Sequence, residues 1–87
     1  MIEKKIEVKI PTGLETTPVA MFVQVVGQFS SNVYVSLQNK KVNGKSIMGM
    51  MSLGILEGED VTVTVDGEDE VSAMKKIEAY LLANADN

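Results

Sequence analysis

The sequence predicts an α+β fold in which a four-stranded, mostly antiparallel sheet carries three helices on one face. Three observations lead to this prediction. The strand-like segments alternate apolar with polar residues, so each strand has one buried and one solvated face. Each long helical segment has a single apolar stripe. The elements follow one another as β-α-β-β-α-β-α, and one sheet with its helices on one side is the simplest arrangement of that order.

The chain length predicts a single domain over residues 1–87. A domain of this size buries only about 60–65% of the surface that its unfolded chain exposes. It therefore has one hydrophobic core and no room for a deep cleft between subdomains. The sequence contains no internal repeat, linker or low-complexity segment.

The first strand is predicted over residues 2–10, where isoleucine and valine alternate with lysine and glutamate. Pro11 ends it, because proline cannot donate a hydrogen bond to a strand ladder. A helix is predicted over residues 18–28, with Pro18 at its first position and Thr17 as its N-cap. The apolar stripe of this helix consists of Val19, Phe22, Val23 and Val26.

Two short strands follow, over residues 33–37 and 41–43, joined by a polar turn. The segment Ile47–Leu53 is predicted to form a short helix. Ser46 is its expected N-cap, since a serine oxygen can accept from a free backbone N–H of the first turn. Gly54 is its expected end, because glycine readily adopts the left-handed conformation that terminates helices.

The last strand is predicted over residues 61–65, where valine alternates with threonine. The last helix is predicted to begin in the acidic run 68–70, because negative charge is favoured at a helix N-terminus. Its predicted inward stripe is Val71, Met74, Ile77 and Leu81. One core is expected to contain Ile6, Phe22, Val26, Val33, Val35, Val61, Val63, Val65, Met74, Ile77 and Leu81.

The composition argues against several classes of function. The chain has no histidine and no cysteine, so it lacks the usual nucleophile–base pairs, disulfides and thiolate metal sites. Its net charge of −4, with only eight lysines and arginines, argues against direct nucleic-acid binding. No apolar stretch approaches the roughly 18 residues that a membrane span requires. We therefore expect a cytoplasmic protein that is not an enzyme and needs no cofactor or metal.

The short helix predicted over Ile47–Leu53 is apolar on nearly every side. Such a helix must be buried all round or must meet a partner. A domain with one layer of core cannot bury all of it, and methionine is common on adaptable binding surfaces. The alternative is that every methionine in this segment fills the core, and the residues alone leave both interpretations open.

Ser46 also has two interpretations. The first is purely structural, since serine is a common N-cap. The second is phosphorylation, because a phosphate at a helix N-terminus meets free N–H groups and the positive end of the helix dipole. The sequence pattern by itself favours the structural interpretation.

Two runs of residues carry a resemblance to a known family. KKVNGKSIMGMMSLGIL resembles the regulatory-serine segment of HPr, the small phosphocarrier of the bacterial sugar phosphotransferase system. The upstream run TGLETTPVAMFVQ is similar to the active-site segment of the same family. The order of strands and helices also agrees, and the resemblance covers essentially the whole chain. It implies the family's open-faced β-sandwich, in agreement with the fold predicted above.

The sequence departs from this family at the phosphocarrier site. The position of the family's phospho-histidine is Glu15 here, and the arginine two residues later is Thr17. Glu15 also places a negative charge where a phosphoryl group would arrive, which disfavours transfer. The pattern is nearest to the catabolite-repression HPr-like branch of the family, which also lacks the histidine and keeps the regulatory serine.

The resemblance implies a phosphorylation site and two protein partners. Ser46 would be phosphorylated by the HPr kinase/phosphorylase, and the phosphorylated chain would act as corepressor of a LacI-type catabolite control protein. The residues that match the family's docking face are Ala20, Val23 and Gln24 on the first helix and Ile47, Met48 and Met51 around the serine.

Two other functions are compatible with the sequence. One is a phosphocarrier that uses Glu15 as an acyl-phosphate site, since carboxylates can be phosphorylated. The absence of the arginine at position 17 and the charge repulsion argue against it. The other is an interaction domain with the same fold in which Ser46 is a cap and nothing more.

Overall fold

The computed structural model describes residues 1–11 and 13–83, apart from the side chain of Thr16. Within them it has the predicted order of elements, and their bounds are β1 (Ile2–Glu7), α1 (Thr16–Gly27), β2 (Asn32–Leu37), β3 (Lys40–Asn43), α2 (Ile47–Leu53), β4 (Asp60–Asp66) and α3 (Glu70–Leu81). The strands form one antiparallel sheet in the order β1-β4-β2-β3. The predicted α+β fold class is confirmed.

The register of the sheet places the inward-facing residues of neighbouring strands side by side. On β4, Val61 pairs with Ile6 of β1, and Val63 pairs with Val35 of β2. All of these side chains are buried, while the alternate residues of the same strands face away from the helices. Every predicted core residue belongs to one buried cluster. The structure adds Val8, Leu14, Val19, Met50, Ile55 and Ala73 to it.

The first strand is shorter than predicted, because its ladder ends at Glu7. Beyond that point the backbone bonds to other elements. Val8 N donates to the carbonyl of Glu59 at 2.9 Å, and Lys9 N donates to the carbonyl of Leu81 at 2.8 Å. Val8 stays fully buried without being part of the sheet. Apolar and polar residues therefore keep alternating beyond the end of β1, because Val8 still faces the core.

Helix α1 begins two residues earlier than predicted, and Thr17 is not its N-cap. Glu15 occupies the N-cap position with extended backbone angles and makes no side-chain capping bond. The first helical hydrogen bond runs from Val19 N to the carbonyl of Glu15 at 2.8 Å. Pro18 lies in the first turn, where N–H groups have no intrahelical acceptor, so its missing N–H removes no helical bond.

The predicted inward stripe of α3 is wrong at Val71, which is 60% exposed. Ala73 is buried instead, beside Met74, Ile77 and Leu81. At 100° per residue, Val71 lies roughly 100° from the centre of that stripe. The three other predicted positions are confirmed.

The acidic run before α3 does more than complement the helix dipole. Glu70 accepts from Gly67 N at 3.1 Å, and Glu68 lies outside the helix. Asp69 makes no capping bond. Its carboxylate instead accepts from Ser30 N at 2.9 Å and Ser31 N at 3.0 Å, and from both serine hydroxyls. These bonds, the one from the Ser31 hydroxyl foremost, hold the pKa of Asp69 below its usual value.

The side chain of Tyr80 joins α3 to the first turn of α1. Its hydroxyl donates to the carbonyl of Pro18 at 2.7 Å, and its ring lies 6.1 Å from that of Phe22. Burial raises the pKa of the Tyr80 phenol. The turn that follows Glu15 is therefore held from the side of the last helix.

Replacing Ile77 by alanine tests the packing of α3. Ile77 is fully buried, so Ile77→Ala should lower the free energy of unfolding by about 2–5 kcal/mol. The matched control, Val71→Ala on the same helix, should change it by less than about 0.5 kcal/mol, because Val71 is exposed. Urea unfolding curves measure both. Equal effects of the two substitutions would contradict the observed stripe.

The carboxylate of Asp69 should give the fold a dependence on acid. Because the pKa of Asp69 is lower in the folded chain, its stabilisation is complete above the ordinary aspartate value of about 3.9 and is lost as the pH falls through the folded value. Asp69→Asn should therefore be less stable than wild type at neutral pH, and the difference should shrink in acid. Urea midpoints across this range test it. Glu68→Gln is the control, and a difference for Asp69→Asn that does not change with pH would refute the assignment.

Candidate functional site

Ser46 caps α2 as predicted. Its backbone is extended, and its hydroxyl oxygen accepts from Gly49 N at 3.1 Å. Gly49 makes room for this contact, since a Cβ there would lie 3.3 Å from both the Ser46 hydroxyl and the Val42 side chain. The preceding turn is closed by Lys45 N, which donates to the Asn43 side chain at 2.8 Å. The serine is thus held in one backbone geometry at the surface.

Helix α2 divides its apolar residues between the core and the solvent. Met50 is fully buried, whereas Ile47, Met48 and Met51 are 46%, 82% and 44% exposed. At 100° per residue these three side chains lie within one arc of about 100°, so they form a continuous surface next to Ser46. The exposure of these three residues agrees with the docking face that the resemblance implies. Core filling, the alternative for the methionines, applies only to Met50 in this helix.

Helix α1 packs beside α2 and adds a second strip of surface. Gln24 is exposed, and Ala20 and Val23 are partly buried. Val23 also packs against the core, so only part of it faces outward. The α1 residues that match the family's docking face therefore lie on the helix that packs beside α2.

The segment before α1 is fixed against the residues that follow α2. Leu14 N donates to the carbonyl of Ile55 at 3.0 Å. Gly13 has φ +66°, and a Cβ there would lie 2.7 Å from the carbonyl oxygen of Ile55, so glycine is required. Glu15 and Thr17 are both exposed. Because the start of α1 meets the end of α2, Glu15 and Ser46 lie at opposite ends of the helix pair.

The chemistry available at these positions is limited. The Glu15 carboxylate makes no hydrogen bond or ion pair with any described residue, so its charge faces solvent. No group of three or more acidic side chains among residues 1–11 and 13–83 could hold a metal ion. What the site offers is a partly exposed serine hydroxyl with an apolar surface beside it, and an exposed carboxylate at Glu15.

The structure exposes two apolar residues that the sequence analysis missed. Met21 is 50% exposed on α1, and Leu56 is 63% exposed just after α2. Met21 lies four residues after Thr17 and three before Gln24, so the helical period could have placed it on the same outer face. Leu56 follows Gly54 in a segment without periodicity, and no sequence signal identified it.

No helix in the described part of the chain is long and apolar enough to cross a membrane.

The described elements define an open-faced β-sandwich, in which three helices cover one face of a four-stranded antiparallel sheet. The sequence profile of the PTS-HPr family, described as the PTS HPr component phosphorylation site, matches residues 2–83, and the chain belongs to this family. Members of the family are phosphocarrier or regulatory proteins rather than enzymes.

The chain is homologous to HPr-like protein Crh of Bacillus subtilis, with 47% identity over 81 residues that cover 93% of this chain and 95% of that protein. Its structure is similar to that of HPr-C-His from Thermoanaerobacter tengcongensis, with a TM-score of 0.92, 44% identity and coverage of 100% and 98% of the two chains. It is also similar to the structure of Bacillus subtilis Crh described as a dimer with a swapping domain, with a TM-score of 0.77, 46% identity and 95% coverage of each chain.

Alanine at Met48 and at Met50 should separate surface from core within α2. Met50→Ala should lower the free energy of unfolding by about 2–5 kcal/mol, because it leaves a cavity in the core. Met48→Ala should change it by less than about 0.5 kcal/mol, because the side chain is 82% exposed. Thermal and urea unfolding measure the two values. A large loss of stability for Met48→Ala would mean that this surface belongs to the core.

Proposed function

We propose that this chain is a regulatory HPr-like protein whose affinity for protein partners is switched by phosphorylation of Ser46. The observation that supports it best is the placement of a preformed serine cap beside the exposed Ile47, Met48 and Met51. The modifying enzyme is the HPr kinase/phosphorylase, and the protein acts in the cytoplasm in carbon catabolite regulation. Homology to HPr-like protein Crh supports this assignment.

Phosphorylation of Ser46 changes the surface without requiring a change of fold. The modified oxygen remains beside Gly49 N, and the phosphate lies at the positive end of the α2 dipole. The apolar residues next to it supply area for burial, and the phosphate supplies a charge that an Arg- or Lys-bearing partner recognises. A LacI-type catabolite control protein is the proposed downstream partner, with Ala20, Val23 and Gln24 at the edge of the contact.

The residues at positions 15 and 17 argue against a phosphocarrier function. Glu15 carries an uncompensated charge, and Thr17 cannot form the paired hydrogen bonds that a guanidinium makes with phosphate oxygens. An acyl phosphate on Glu15 would therefore form against charge repulsion and without a cationic neighbour at position 17. We expect no phosphoryl transfer through this site.

Incubation with the HPr kinase/phosphorylase, ATP and magnesium, followed by intact-mass measurement, tests the switch. The wild-type chain should gain the mass of one phosphoryl group, and Ser46→Ala should gain none. Ser52→Ala is the matched control, because Ser52 is an exposed serine on the same helix and its loss should leave the mass gain intact. A gain that persists in Ser46→Ala, or its absence in wild type, would refute the proposal.

Intact-mass measurement after incubation with phosphoenolpyruvate and the upstream kinase of the sugar system tests the phosphocarrier alternative. The wild-type chain should gain no mass, and Glu15→His combined with Thr17→Arg should gain more than Glu15→His alone. Phosphate on the wild-type chain under these conditions would favour the carrier function.

Binding of the proposed catabolite control protein tests the apolar surface. Met48→Ala should weaken binding of the phosphorylated chain to this partner, while its melting temperature stays near that of wild type.

A further inference from the structure

A groove lies between α3 and the end of α1, on residues that do not belong to the Ser46 surface. Its volume is about 620 Å³. Phe29, Ala79 and Leu82 give it an apolar lining, and Lys75 and Lys76 flank it. Small-molecule pockets span about 300–1,000 Å³, so the volume alone does not identify the kind of ligand.

The segment that supplies Phe29 is held from two sides. The carbonyl oxygen of Phe29 accepts from the Lys45 ammonium at 2.8 Å. The next two residues, Ser30 and Ser31, are bound through their N–H groups to the Asp69 carboxylate. The aromatic wall of the groove is therefore formed before any ligand arrives, and binding there requires little ordering of the chain.

The charges around the groove favour an anionic ligand. Lys75 and Lys76 are exposed and make no ion pair or hydrogen bond with any described residue. The one carboxylate in the lining, Glu78, is paired with the Lys4 ammonium at 3.1 Å. The chain as a whole has a net charge of −4, so this apolar groove is a locally cationic place on an acidic molecule.

We propose that this groove docks an acidic amphipathic segment of a partner protein. Apolar side chains of the segment contact Phe29, Ala79 and Leu82, and its carboxylates pair with Lys75 and Lys76. The groove is more open than enclosed, so a small molecule in it would stay largely exposed, whereas an amphipathic helix is recognised by an open groove of this kind. This site does not depend on phosphorylation of Ser46.

A charge-swap titration with two synthetic peptides tests the site. Both peptides are amphipathic helices with leucine on one face, and the other face carries glutamate in the first and lysine in the second. The glutamate peptide should shift the amide resonances of Phe29, Ala79 and Leu82 in the full chain. In Lys75→Glu combined with Lys76→Glu, its affinity should fall about tenfold or more, and the lysine peptide should then bind more tightly than the glutamate peptide.

Lys5→Glu combined with Lys41→Glu is the matched control. It makes the same change in net charge at two exposed lysines, on β1 and β3, that do not line the groove, so the affinity for the glutamate peptide should fall by much less than in the groove variant. Equal losses in the two variants would show attraction by net charge alone and would overturn the proposal. Resonance shifts confined to Ile47–Leu53, or no shifts at all, would overturn it as well.

Discussion

The sheet has only one covered face, and this constraint determines what the three helices can bury. A single layer of core accepts one stripe from each helix, so the opposite side of every helix faces solvent. For α1 and α3, which have 12 residues each, that outer side is mixed or polar. Helix α2 has only seven residues and buries Met50 fully, with Leu53 packed partly against the core, so Ile47, Met48 and Met51 remain exposed. The apolar surface next to Ser46 is a direct result of this geometry.

Loops at both ends of the helix layer are fixed by contacts between residues far apart in sequence. Asp69 binds the backbone of Ser30 and Ser31, and Leu14 binds the backbone of Ile55. These contacts hold the segments on which the candidate sites depend. The exposed positions can therefore differ from those of related proteins, as at Glu15 and Thr17, without any change in the fold beneath them.

Local signals in the sequence were sufficient for much of this structure. Ser46 and Gly54 bound α2 as their residue types predict, because caps depend on a few neighbouring backbone groups. The valines of β4 identified a central strand for a similar reason, since alternation is a property of the strand itself. The exposed face of α2 did not follow from its residues alone, which left core filling open, and only the family resemblance implied it.

The errors arose where contacts distant in sequence decided the outcome. The end of β1 depends on bonds to Glu59 and Leu81, which alternation does not reveal. The start of α1 depends on how the segment 13–15 lies against Ile55. The local signal of Thr17 and Pro18 therefore predicted the N-cap at the wrong residue. Val71 is apolar and lies three residues before Met74, a spacing that fits the buried stripe of α3. Only the orientation of the helix on the sheet shows that Val71 faces solvent.

The bond between Tyr80 and Pro18 gives the protein a built-in optical reporter. The chain has two tyrosines and no tryptophan, and Tyr34 already lies in part exposed on the open face of the sheet. The change in tyrosine absorbance on unfolding therefore comes from two rings, of which Tyr80 reports on the junction of α1 and α3. Any tryptophan fluorescence in a mixture with this protein belongs to the partner, so each side of a complex can be followed without a label.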